Sequence, residues 1–445
     1  MRTAVEAESG TSIRHEIRAL TGLRAIAAGW VVVHHFWALT PSANWPVVEP
    51  LRPLLATGWL GVDLFFVLSG FVLTHTYLDK IGERPRLRTA ASFYWNRLSR
   101  VWPLWAFVTI AFTGWLVLKH LTVGGLHLHE GAQPSVGVLP MIEQLLMVQV
   151  WSGPMPYATG SVGPGWSLSA EWLAYCAFPV VVFLLYRLRR LPAVVLGSAA
   201  VLAMLPFAAH VAAEATHDYS WSWLARIAGG FLAGSFAAMC IRRISIGPRT
   251  RARATVVAGA AICQILVVIW WAVADGGDYA GVAVVVFPVL VGALALADGG
   301  PARWLSVPWV VMGGRISFAL YLVHECIFEV FWTGMDVLPV IGPDSRWQAL
   351  VAPLVLASTV PAAYLLWRYV EEPSRHRMRD LSRRRTSVAA QPAALQQTPR
   401  QPLRPATAAM TVTPQLRPED VSQSIPTPSP RQEARPLTPA ELINR

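Results

Sequence analysis

Long apolar runs alternate with short connections rich in Arg, Gly and Pro, and the alternation continues to about residue 380. An α-helix needs roughly 20 apolar residues to cross the hydrocarbon layer of a membrane. Ten such spans are read, at 19–39, 58–78, 101–118, 166–186, 192–211, 223–241, 255–274, 279–297, 310–332 and 348–369. The third is short. Residues 138–151, VLPMIEQLLMVQVW, are apolar but too few to cross, so a re-entrant or interfacial segment is expected there. The pattern predicts an all-α, polytopic integral membrane protein with about 10 transmembrane helices.

Composition sharpens this. Of 445 residues, 54% are hydrophobic and only 14% are charged, where a soluble domain carries about 25% charged residues. The net charge of +11 suggests an anionic macromolecular partner such as nucleic acid. The distribution of the basic residues excludes that partner, because they sit in short clusters between spans. Lys80/Arg84/Arg86/Arg88/Arg97/Arg100, Arg187/Arg189/Arg190, Arg242/Arg243/Arg249/Arg251/Arg253 and Arg303 fall in alternate connections, on the side of the N-terminal arm 1–18. The opposite connections hold little beyond Arg52, Lys119 and Arg346. Positive residues stay cytoplasmic, so both termini are expected inside, with the bilayer of the cell's inner (plasma) membrane as surroundings. The four cysteines show no CxxC spacing, and neither a disulfide framework nor a metal site is expected. Residues 378–445 are rich in Pro, Gln, Thr and Ala and nearly free of aromatics. They predict a disordered cytoplasmic tail, whose partner, if it has one, is unknown. The transmembrane domain is then 19–377.

The first span carries the densest chemistry. In RALTGLRAIAAGWVVVHHFW (Arg18 to Trp37), Arg24 and His35 lie eleven positions apart. At 3.6 residues per turn they share a face to within about 20° and are separated by about 16 Å along the axis, whereas His34 points about 80° away. Ionisable residues within a membrane helix are functional candidates by default. Depth, at about 1.5 Å per residue, brings His35, Asp63 and Glu171 from three helices to one layer about 6–7 Å below the outer surface.

Arg24 and His35 match the Arg-x10-His signature of the membrane acyltransferase-3 family, the bacterial O-acyltransferases that decorate polysaccharides and other secondary hydroxyl substrates. GVDLFFVLSGFVL (Gly61 to Leu73), FYWNRLSRVWPLW (Phe93 to Trp105), GPGWSLSAEWLAY (Gly163 to Tyr175), ISFALYLVHE (Ile316 to Glu325) and VEEPSRHR (Val370 to Arg377) resemble further family segments, in the family's order. The resemblance covers about residues 18–377. It implies transfer of an acyl group, most simply acetyl, from acyl-CoA to a hydroxyl of a saccharide-containing acceptor: an envelope polysaccharide, a glycolipid or a glycosylated metabolite. Acyl-CoA would be a donor substrate, with no permanently bound cofactor.

Roles follow for individual residues. His35 suits a general base that removes the acceptor's hydroxyl proton. Asp63 or Glu171 would orient it and stabilise the imidazolium; the residues alone do not rank the two, and the resemblance favours Glu171. Arg24 is either a binding group for phosphate, carboxylate or carbonyl oxygen, or a snorkelling topology marker. Arg97 and Arg100 before Pro103 are either a positive-inside cluster or, by resemblance to the family's Arg-x-x-Arg-x-x-Pro segment, a site for the phosphates of coenzyme A. Trp166, Ser167 and Ser169 beside Glu171 offer donors that could polarise a thioester carbonyl. A serine nucleophile is not indicated, since GxSxG is absent. His324 either lines the acceptor cavity or is a satisfied interior histidine. Glu371 and Glu372 read as a structural stop. Arg24 and its basic neighbours lie at the inner end and His35 toward the outer, a gap that a tunnel for the long arm of coenzyme A, or a relay, would have to bridge. The rival function is a proton-coupled transporter or flippase on the same fold.

Overall fold

A computed structural model describes residues 17–40, 46–124, 136–155, 160–274, 278–342 and 345–381. Among these residues the regular structure is helical, with no strand. The helices are α1 (Arg18–Leu39), α2 (Arg52–Ala56), α3 (Leu60–Gly82), α4 (Leu87–Thr122), α5 (Val138–Leu145), α6 (Gly165–Leu188), α7 (Ala193–Leu202), α8 (Leu205–Glu214), α9 (Ser222–Ile241), α10 (Pro248–Ala274), α11 (Phe287–Leu296), α12 (Gly300–Leu305), α13 (Pro308–Val337) and α14 (Arg346–Leu366). Within the described residues, nine helical stretches are long and apolar enough to cross a membrane. The chain is a multi-pass membrane protein. α1 matches them in length, about 33 Å for 22 residues, but Arg18, Arg24, His34 and His35 reduce its apolarity. The expected tail from 378 onward falls outside the described residues apart from its first four positions, and so does most of the N-terminal arm.

Two helix pairs form the centre: α3 with α9, and α1 with α13. Both depend on close backbone approach. A Cβ on Gly234 of α9 would collide with the carbonyl oxygen of Val67, and one on Gly314 of α13 with that of Thr21. α6 packs on α3, and α14 packs on α13. The core comprises two apolar clusters, one that includes Phe93, Trp105, Phe178, Phe328 and Trp332 and one that includes Phe71, Phe207 and Phe287.

Two elements differ from expectation, and one, the segment 138–151, agrees with it. α4 runs for 36 residues without a break, so Arg97 and Arg100 sit on a helix that continues well before the short third span, not in a connection. The segment 138–151 is the eight-residue α5 followed by turns, about 12 Å of helix and too short to cross. Its Gln144 side chain accepts from the Ser161 backbone N–H and hydroxyl, both at 2.8 Å, and its carbonyl accepts from Trp105 Nε1 at 2.6 Å. Finally, the chain does not stop at Glu371 and Glu372. α14 passes through a π-helical turn, Trp367–Glu371, and stays helical to Leu381. Pro373 explains the turn: it has no N–H to give to Tyr369, and the wider turn absorbs the missing bond without ending the helix.

Candidate active site

His35 and His324 meet where α1 crosses α13. His35 Nδ1 lies 2.9 Å from His324 Nε2, and the rings stack at 5.1 Å with an interplanar angle of 21°. His324 is fully buried, and its Nδ1 lies 3.2 Å from the carbonyl oxygen of Leu320. A carbonyl only accepts, so His324 Nδ1 carries the proton, and in the neutral ring Nε2 accepts. His35 Nδ1 must then be the donor, which leaves the lone pair of neutral His35 on Nε2. The backbone of α13 thus sets the tautomer of a histidine on α1. His34, by contrast, lies 2.7 Å through Nδ1 from the carbonyl oxygen of Leu55, beside the close approach of Gly58.

The carboxylates expected to partner His35 are engaged elsewhere. Both oxygens of Asp63 accept from Arg226, each at 2.9 Å, and the two side chains are buried at 0% and 1% exposure. The Arg226 guanidinium lies among the rings of Trp166, Trp59 and Phe207, at 4.9, 5.3 and 5.7 Å. Asp63 is therefore the counter-ion of a buried cation between α3 and α9, because an unpaired guanidinium there would be prohibitively costly. Trp166 is one wall of that cage. Glu171 accepts from the Tyr175 hydroxyl at 2.5 Å, and the Ser69 hydroxyl donates to Tyr175 at 3.5 Å. Ser169 holds the turn after α5: its hydroxyl donates to the Met147 carbonyl at 2.9 Å and accepts from the Val150 N–H at 3.4 Å.

Ser167 lies differently. Its hydroxyl is 2.7 Å from that of Tyr321, and both hydroxyls also reach the Pro164 carbonyl, at 3.0 and 3.3 Å. Tyr321 sits one turn before His324 on α13, with ring centroids 6.0 Å apart. Ser167, Tyr321, Ser317, Glu171 and Arg24 line a small cavity of about 50 Å³.

Arg24 also lines a second, larger cavity of about 710 Å³. Six arginines face it, Arg24, Arg97, Arg100, Arg315, Arg375 and Arg379, with Glu372 as the acid in its lining. The Nε atoms of Arg24, Arg97, Arg375 and Arg379 are buried and form no hydrogen bond among the described residues. The Arg24 guanidinium lies 5.6 Å over the Phe65 ring. The structure brings Arg24, Arg97 and Arg100 to one cavity and adds Arg315, Arg375 and Arg379. The volume is that of a small-ligand site, and the clustered guanidiniums suit phosphate or carboxylate oxygens. Among the described residues no group of three or more His, Cys, Asp and Glu side chains is arranged to hold a metal.

Sequence reading missed Tyr321, Arg226 and the three further arginines. Arg375 and Arg379 lie at an i, i+4 spacing, but only the helical continuation past Pro373 makes that spacing meaningful. Arg226 carried a signal, as an arginine within an apolar span.

A family model described as an acyltransferase domain matches residues 17–368. "Acyltransferase MdmB" of Streptomyces mycarofaciens is 29% identical over 404 residues, 86% of this chain and 97% of that protein. "Nodulation protein 10" of Rhizobium leguminosarum bv. viciae is 26% identical over 391 residues, 82% of this chain and 95% of that protein. "O-acetyltransferase OatA" of Staphylococcus aureus is 27% identical over 179 residues, 38% of this chain and 25% of that protein. No solved structure matches. With a matched region that spans most of the chain and contains both halves of the histidine pair's crossing, the protein belongs to the acyltransferase-3 family and is a membrane acyltransferase.

Proposed function

We propose that the protein transfers an acyl group, most simply acetyl, from acyl-CoA to a hydroxyl of a saccharide-containing acceptor. The observation that carries this reading is the position of Arg24, which lines both the arginine-rich cavity and the small cavity of Ser167 and Tyr321, on the helix that bears His35. The nucleotide phosphates of the donor would occupy the larger cavity, paired with Arg97 and Arg100. The pantetheine arm would pass Arg24, bringing the thioester toward Tyr321 and Ser167. His35 Nε2 takes the proton of the acceptor hydroxyl as its oxygen attacks the thioester carbonyl. The Tyr321 hydroxyl, or that of Ser167, donates to the oxygen that gains charge. The C–S bond then breaks, and the proton on His35 returns to the departing thiolate. The products are an O-acyl ester and free coenzyme A, and no acyl-enzyme is required. Glu171, 2.5 Å from Tyr175 and sharing the small cavity with Arg24, balances the Arg24 charge at this passage.

The loop charges support a plasma-membrane orientation with both termini cytoplasmic, which puts the arginine cavity where acyl-CoA is made. His35 then lies toward the outer leaflet, where an envelope polysaccharide or glycolipid would be reached. A glycosylated metabolite is the other acceptor of suitable chemistry.

The test uses membranes that contain wild type, His35→Ala or His34→Ala at matched expression, supplied with labelled acetyl-CoA. Label should move into a saccharide-containing fraction with wild type and His34→Ala but not with His35→Ala. Equal transfer by His35→Ala would remove the base assignment, and failure of wild type with a panel of acyl-CoAs and acceptors would remove the donor.

A further inference from the structure

The arginine cavity has two ends. Arg24 marks one, because it also faces the cavity of Ser167 and Tyr321. Arg24 is within electrostatic reach of Arg100, and Arg379 of Arg375, Arg97 and Arg100. Arg97 and Arg100 therefore come between Arg24 and the pair Arg375 and Arg379, which lie on the helical extension that follows α14 and reaches Leu381. The extension is tied to α4 by a hydrogen bond of 2.8 Å from Trp95 Nε1 to the Met378 carbonyl, just before Arg97 and Arg100.

The π-helical turn is what aims this extension. Trp367, Glu372, Arg375 and Arg379 all line the cavity. In a regular α-helix, positions five apart point about 140° away from each other, so Trp367 and Glu372 could not share a wall. The extra residue of the turn Trp367–Glu371 rotates the following helix and brings Glu372, and with it Arg375 and Arg379, onto the Trp367 face. π-Helical turns of this kind recur at functional sites.

The charges on this wall are unbalanced. Arg379 lies within electrostatic reach of Arg375, Arg97 and Arg100. The Nε atoms of both Arg375 and Arg379 are buried without a hydrogen-bond partner among the described residues. Glu372 engages one arm of Arg375, at 2.8 Å to Nη2, and divides its charge with His376 at 2.9 Å. Like-charged guanidiniums that crowd around a cavity are held at a cost that an anion would remove.

We propose that Arg375 and Arg379 form the subsite for the terminal 3′-phosphate of coenzyme A, distinct from the pyrophosphate, which falls to Arg97 and Arg100. This rests on the acyl-CoA donor reading. The order of groups along the ligand matches the order of arginines along the cavity: thioester toward Arg24, pyrophosphate in the middle, phosphate monoester at the far end. The monoester is the most highly charged group of the donor, about −1.5 to −2 near neutral pH, and the two-arginine wall sits where it would end.

The test is equilibrium binding to the full chain in lipid nanodiscs, with labelled acetyl-CoA and labelled acetyl-3′-dephospho-CoA. Wild type should prefer acetyl-CoA by about tenfold or more, the scale of one charge-assisted bond lost. Arg375→Gln and Arg379→Gln together should erase most of that preference while binding of the 3′-dephospho form stays within about threefold. That retained binding also shows the variant is folded. Without any variant, adenosine 3′,5′-bisphosphate should displace acetyl-CoA from wild type about tenfold better than adenosine 5′-monophosphate. Equal binding of the two acetylated donors by wild type, or equal weakening of both by the variant, overturns the subsite and leaves the donor reading intact. If wild type binds neither donor, the donor reading falls and the subsite falls with it.

Discussion

His35 on α1 and His324 on α13 are 289 positions apart in the chain, and their ring nitrogens lie 2.9 Å apart. The helix crossing that joins them is the one made possible by Gly314 against Thr21. A single close contact therefore aligns the Arg24 end and the histidine end of one helix pair. The bond from His324 Nδ1 to the Leu320 carbonyl orders both imidazoles and leaves the basic lone pair of His35 on Nε2. In that geometry a neutral imidazole takes the place beside His35 where a carboxylate was expected. It fixes the tautomer without placing a negative charge in the bilayer.

This arrangement predicts unequal effects for the two histidines. His35→Ala should lower kcat by roughly 10³-fold, within the range of general-base contributions. His324→Ala should lower it by about 10²-fold, since His35 keeps its chemistry but loses its tautomer and orientation. Donor KM should stay within about twofold for both, because neither ring contacts the arginine cavity. Steady-state kinetics on purified protein, normalised to the folded fraction, provides the check. A wild-type kcat in His324→Ala would show that the pair is packing alone.

Asp63 should behave as a structural residue. Asp63→Asn leaves the buried Arg226 without its counter-charge, which costs about 3–5 kcal/mol, and should lower the melting temperature in detergent markedly. Replacing both partners with apolar residues, Asp63→Leu with Arg226→Met, should restore most of that stability and retain transfer. The deciding measurement is thermal unfolding beside labelled-acetyl transfer. A double variant that is stable but inactive would return Asp63 to the catalytic set.

The span pattern was legible because hydrocarbon thickness imposes length and apolarity on every crossing helix, whatever its neighbours. Arg24 and His35 were legible for a related reason: charge inside an apolar helix is rare enough to stand out. Depth along the axis predicted one layer for His35, Asp63 and Glu171. Yet Glu171 shares the small cavity with Arg24, eleven positions and about 16 Å along α1 from His35, and depth says nothing about rotation. Asp63 faces α9 and Arg226, and Glu171 faces Tyr175 on its own helix. Their directions depend on how helices pack, and the packing is set by small residues such as Gly234, whose partners lie far away in sequence. The π-helical turn was hidden for another reason. Pro373 reads locally as a helix end, and only the continued packing of 372–381 on α4 through Trp95 turns it into an adjustment.

Tyr321 should act on the chemical step and not on donor capture. Tyr321→Phe keeps the ring among Phe65 and His324 and removes the hydroxyl that meets Ser167 at 2.7 Å. Loss of one donor to a developing oxyanion lowers kcat by about 10²-fold, whereas the lost hydrogen bond costs about 1 kcal/mol of stability. Ser167→Ala should have a smaller effect, since Tyr321 can still donate. Raised donor KM with unchanged kcat in Tyr321→Phe would contradict the assignment.

Glu371 should tune the arginine cavity from behind its wall. Its carboxylate is buried, neither oxygen is hydrogen-bonded among the described residues, and Arg100, Arg375 and Arg24 lie within electrostatic reach. A charge in that position would stabilise the arginine cluster when no phosphate is present and compete with phosphate when it arrives. Glu371→Gln keeps the shape and removes the charge. The ligand-free protein should therefore melt at a lower temperature, while coenzyme A should bind about three- to tenfold more tightly, a gain of roughly 1 kcal/mol in phosphate attraction. Saturating coenzyme A should then raise the melting temperature of the variant by more than it raises that of wild type. Unfolding curves with and without coenzyme A measure both effects in one experiment. Weaker binding by Glu371→Gln would mean instead that the carboxylate positions the guanidiniums for the ligand, and that the cluster needs its internal anion even when the phosphates are bound.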